Sequence, residues 1–239
     1  MNQQIVPFLR KYFLEISGES LKYGPLYTPQ SSFLRIDKVL VNSQGRVVFD
    51  PQKSNKEEGV YERLLLRNDI FIAVGMNLAY YYAPTAKPGA GFTANSLQDL
   101  KTGLTAFGSN LADKVTVDLE AVYNGSLSLT TGTVVTFEGL PACKMKQKHQ
   151  ADTNTITSDP SENMLYLPER VEISGRSSQK FELTFPTYSG AVFNPPATTD
   201  PSFTPDGEIG MSLYLDGFLI KNLAEQLTIK GKEFLFSDK

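Results

Sequence analysis

The N-terminal stretch repeats large apolar side chains at helical spacing. Ile5, Phe8, Leu9, Tyr12, Phe13 and Ile16 fall at i, i+3, i+4, i+7, i+8 and i+11, one continuous face of a helix. Gln4, Arg10, Lys11 and Glu15 take the opposite face. Pro7 sits where a first turn tolerates proline, and Gly18 offers a stop. The Tyr, Gly and Pro residues of 23–30 predict an extended linker. Residues 1–31 are therefore expected to form a helical arm and linker, and 32–239 a separate β body.

From Ser32 the apolar period becomes two. Leu34, Ile36 and Leu40 share a face, with Lys38 the exception. Gln44 and Gly45 predict a turn into a strand over Arg46–Phe49. Ile70, Ile72, Val74, Met76, Leu78 and Tyr80 alternate with smaller neighbours, which predicts a strand with a covered back. Ser96 followed by Asp99 has near capping-box spacing, so a helix is expected there. Its apolar face would be Leu97, Leu100, Leu104, Phe107 and Leu111, with Gly103 as a weak point and Gly108 as a stop. A short helical turn over Asp118–Tyr123 closes at Asn124–Gly125. Thr131–Gly132 predicts a tight hairpin between two strands. Val171 and Ile173 alternate, as do Phe181, Leu183 and Phe185, and 175–179 is expected to join them as a second hairpin. Met211, Leu213 and Leu215 open a last strand running on to Ile220. About eight to ten strands with few helices and long connections predict an all-β, antiparallel, jelly-roll-type β-sandwich. An N-terminal amphipathic helix and one or two short loop helices complete it.

Composition removes several function classes. With 23 Lys+Arg against 26 Asp+Glu, the formal charge is −3, so no strong nucleic-acid signal is present. One cysteine and one histidine leave no internal disulfide and few routes to a metal centre or a His-based relay. No cofactor and no metal site are expected. The N-terminus has no basic segment followed by an apolar core, and no long apolar run crosses a membrane. The chain is expected to be made in the cytoplasm.

Candidate chemistry is sparse. Cys143 and His149 are expected to be a small buried thiol and a loop histidine rather than a nucleophile and base. Ser177–Lys180 matches S-x-x-K, but in a hairpin rather than at a helix start. Asn124–Ser126 is a turn before it is a glycosylation acceptor, and Gly89–Gly91 lacks a dinucleotide loop's third glycine. Asp37, Asp50, Asp69, Asp118, Glu120 and Asp216 are expected to be solvated, although two facing carboxylates could do glycosidase work. Trp, the best stacking platform, is absent; Tyr80 and Tyr82 are the candidate aromatics of a ligand face. Lys144, Lys146 and Lys148 would share one side of a guarded edge strand.

Several stretches together resemble a jelly-roll structural protein of a virus particle, such as a bacteriophage capsid. They are the long alternating LLLRNDIFIAVGMNLAYYY, the turn and strand YNGSLSL, and LPERVEISG with KFELTFP as its partner, all behind a helical arm. The resemblance is architectural and spans most of the chain. It implies a non-enzymatic, self-assembling subunit located in the virion. Its partners would be copies of itself and other virion proteins, contacted through the long loops. Near-neutral charge departs from coat subunits with basic arms. The subunit-interface candidates are then Ile5, Phe8, Leu9, Tyr12, Phe13 and Ile16, with a neighbouring subunit preferred over a membrane surface as what they meet. A carbohydrate- or receptor-binding module of a tail or spike is the alternative, and a jelly-roll enzyme the third reading.

Overall fold

The computed structural model describes residues 30–51, 65, 69–86, 90–115, 117–145, 164–175, 178–186, 190–195 and 204–221. The predicted arm, with Ile5 to Ile16, and the tail after 221 lie outside these residues.

Nine strands are described, all paired antiparallel. They are β1 (Gln30–Val39), β2 (Arg46–Phe49), β3 (Ile70–Pro84), β4 (Phe92–Ala94), β5 (Ser126–Thr131), β6 (Val134–Pro141), β7 (Leu165–Ser174), β8 (Gln179–Thr184) and β9 (Gly207–Ile220). One sheet runs β1-β9-β3-β4, with β7 also on β3; the other runs β2-β8-β5-β6. The pairing has a simple logic once the short β4 is set aside. The outermost strands pair with each other, then the next pair inward: β1 with β9, β2 with β8, β3 with β7, β5 with β6. This is one long antiparallel ribbon folded at the β5–β6 turn. Rolling the ribbon brings β9 onto β3 and β8 onto β5. Residues of both sheets then meet in one core, including Leu34, Met76, Tyr80, Leu213 and Leu215 with Phe49, Leu127, Phe181 and Leu183.

The face of β3 differs from the expected strict alternation. Ala73 to Gly75 advances two positions while the partner β9 advances one, from Gly217 to Asp216. The extra residue, Val74, is a β-bulge, and it exchanges the two faces of the strand. Phe71 and Ala73 point into the core before it; Met76, Leu78, Tyr80 and Tyr82 do so after it. Ile70 and Ile72 therefore lie on the opposite face from Met76, although the period-two pattern grouped them. They are fully buried there, as are Asn77, Ala79 and Tyr81, so the covered back is present.

The second predicted hairpin does not form. β7 belongs to one sheet and β8 to the other. The chain has changed sheets between Ser174 and Gln179, and a side chain does the work of a ladder. Gln179, 1% exposed, accepts the Ser174 N–H at 2.8 Å and donates to the Glu172 carbonyl at 2.6 Å. Alternation identified both strands correctly, but it carries no information on which strand each one pairs with.

Helix α1 (Leu97–Ala106) forms where its cap predicts. The Asp99 N–H donates to Ser96 Oγ at 3.1 Å, and Ser96 Oγ donates to Asp99 Oδ2 at 2.7 Å. Leu100 and Leu104 enter the core. Gly103 has a packing reason: a Cβ there would collide with the Phe92 ring. Gly108 ends the helix at φ +75°. Phe107 stays 45% exposed yet meets the Tyr82 ring edge-on at 5.6 Å. The turn expected near Asp118 is a 3-10 helix over Val117–Asn124.

Candidate functional site

An antiparallel ribbon sends alternate connections to opposite ends. Those joining β1 to β2, β3 to β5, β6 to β7 and β8 to β9 share one end, and three of the four long connections are here; the fourth, between Phe49 and Ile70, leaves from the other end. Function collects on long loops held by a rigid scaffold, so this end is the candidate site.

Four polar side chains tie the loops together. Asn42, after β1, accepts the N–H groups of Phe193 and Asn194, both at 2.8 Å, and donates to the Asn194 carbonyl at 2.6 Å. Asn194 in turn exchanges hydrogen bonds with the backbone of Ile209 at 2.7 and 2.9 Å, and donates to the Leu40 carbonyl. Asp206, just before β9, accepts Ser109 Oγ at 2.6 Å, the Asn110 N–H at 2.8 Å and the Tyr82 hydroxyl at 2.9 Å. Burial pushes the Asp206 carboxyl up, but those donors outweigh it and hold the group below its ordinary 3.8. Asp118 accepts the Val192 N–H at 3.0 Å and couples the 3-10 helix to the β8–β9 connection. Val41 and Val117, 62% and 79% exposed, lie on connections at this end.

The expected ligand-face tyrosines are not on a surface. Tyr80 and Tyr82 are 0% and 1% exposed. The Tyr80 hydroxyl donates to the Leu119 carbonyl at 2.9 Å, and its ring meets Tyr123 edge-on at 5.4 Å. Tyr82 packs between Phe92 and Phe107. The bulge turned both into the core side of β3, and their hydroxyls end on acceptors instead of water. Burial holds the Tyr80 and Tyr123 hydroxyls well above their ordinary pKa, so both act as neutral donors.

The carboxylates are less uniformly solvated than expected. Asp37 is fully buried on the outward side of β1. Arg35 clasps it with Nε at 2.9 Å and Nη2 at 2.7 Å, and Ser212 also bonds it. The same guanidinium lies 5.6 Å from the Tyr214 ring centroid. Asp69 is 3% exposed. Burial raises the pKa of Asp216, which sits two positions along β9 from Tyr214. The expected buried thiol of Cys143 is instead exposed. Lys144 sits in a 3-10 turn, Ala142–Met145, rather than on a strand. Lys146, Lys148 and His149 lie outside the described residues. Among the described residues, no group of three or more His, Cys, Asp or Glu could hold a metal ion. No helix among them is long and apolar enough to cross a membrane.

Comparison with protein-family models, with curated proteins and with solved structures found no match.

Proposed function

We propose that this chain is a structural subunit of a virus particle. It is built as a jelly-roll β-sandwich that self-assembles through its N-terminal arm and long loops, and it turns over no substrate. The observation that carries the reading is the pairing order, β1-β9-β3-β7 over β2-β8-β5-β6. That order supports a jelly roll, two Greek keys made by rolling one ribbon, an architecture used by coat proteins. Fold alone leaves function open. The tied loop end adds support, because it offers a stiff surface with exposed Val41 and Val117 for neighbours to meet. The glycan-binding alternative loses its platforms, since Tyr80 and Tyr82 are inside.

The arm supplies the test. Phe8→Asp together with Phe13→Asp places two charges on the apolar face of the predicted helix. In sedimentation of the full chain, wild type is expected as a discrete oligomer and the double variant as a folded monomer with an unchanged circular dichroism spectrum. A variant that assembles like wild type would remove the arm from the mechanism.

A further inference from the structure

We infer that the edge where β1 and β2 part is a binding site for a small tetrahedral oxyanion, a phosphate or sulfate group. The site borders the tied β1–β2 connection, through Gln44 and Gly45, and does not rest on the virion reading. A cleft of about 550 Å³ opens there, within the size range of small-ligand sites. Its lining includes Lys38 at the end of β1, Arg46, Val47 and Val48 of β2, Asp50 after it, and Lys180 of β8. Among the described residues, three cations from three strands of both sheets thus line one concavity with the Asp50 carboxylate, and Glu182 lies beside Arg46. The β2·β8 register pairs Arg46 with Thr184 and Phe49 with Phe181; continued by one residue it sets Asp50 opposite Lys180.

Two observations separate a site from ordinary edge protection. Lysines on edge strands discourage unwanted pairing, and Lys38 and Arg46 do lie on edge strands. Lys180 does not: β8 is paired on both sides, by β2 and β5, so it needs no guard. The chain also carries a net charge of −3, so a concave surface with a local cation excess stands against the overall sign. Arg46 is available to a ligand. Its pair with Glu182 is long, 3.6 Å, and its side chain is 64% exposed, so exchanging that contact for a bidentate oxyanion contact is favourable.

Equilibrium dialysis of the full chain against labelled inorganic phosphate at low ionic strength tests the site, with sulfate as competitor. One saturable site per chain is expected, weakening as salt rises. Sulfate competition identifies a general oxyanion site, and its failure identifies a phosphate-selective one; both support the proposal. Arg46→Gln with Lys180→Gln is expected to weaken binding about tenfold or more, whereas Lys101→Gln on α1 leaves it unchanged. Both cleft side chains are exposed, and an unchanged urea midpoint verifies that the variant is folded. No saturable binding below concentrations on the order of 10 mM, or equal binding by the double variant, overturns the proposal.

Discussion

A Tyr80→Ala variant is expected to lose about 4 kcal/mol of folding stability, from a cavity of aromatic size in the core. Tyr80 is 0% exposed and stacks edge-on with Tyr123. Its hydroxyl donates to the Leu119 carbonyl in the 3-10 helix. Removing the ring therefore takes away both packing and that buried hydrogen bond. Tyr80→Phe divides the two effects, because it keeps the ring and loses the donor; about 1–2 kcal/mol is expected from that variant. Urea unfolding measures both, through the midpoint at constant slope. Were Tyr80 a surface platform for a ligand, Tyr80→Ala would be nearly neutral, within about 0.5 kcal/mol.

Asp206→Ala is expected to cost about 2 kcal/mol near neutral pH, because three donors lose a charged acceptor. Ser109 and the Asn110 N–H have most at stake, since Tyr82 keeps a 3.2 Å contact to the Asp206 carbonyl. The pH dependence follows from the direction of the shift. The folded-state carboxyl sits below its ordinary 3.8, so its contribution is fully present above that value and is lost as pH falls through the folded pKa. The stability gap between wild type and Asp206→Ala should therefore be constant from neutral pH down to mildly acidic pH and shrink at strongly acidic pH. A gap that does not change into strong acid would mean the carboxylate charge is not what ties the loops.

Much of the fold was legible from local pattern. The cap at Ser96, the stop at Gly108 and the alternation around Leu127, Phe181 and Leu213 each depend on near neighbours in the chain, and each element formed in place. What failed were statements about partners. The supposed β7–β8 hairpin is a crossing between sheets, because the same alternation serves any antiparallel neighbour. One extra residue at Val74 reversed the faces of β3 and put Tyr80 and Tyr82 on the core side with Phe71, in a strand whose other face is buried as well. No composition signal marks a bulge whose extra residue is itself a good strand former.

The site was less legible, for the same reason. Asn42 and Asn194 are 152 positions apart, and Asp206 meets Ser109 across 97. Asn, Ser and Asp are common loop residues, so only the rolled ribbon reveals that they converge. The cations of the β1–β2 cleft escaped notice because Lys38, Arg46 and Lys180 form no run in the chain, whereas Lys144, Lys146 and Lys148 do.

The most direct measurement is the mass in solution of the purified full chain, by light scattering across a range of concentrations. A self-assembling subunit predicts a discrete closed oligomer whose mass is a whole multiple of 26.4 kDa. A single 26.4 kDa species at every concentration would contradict the account.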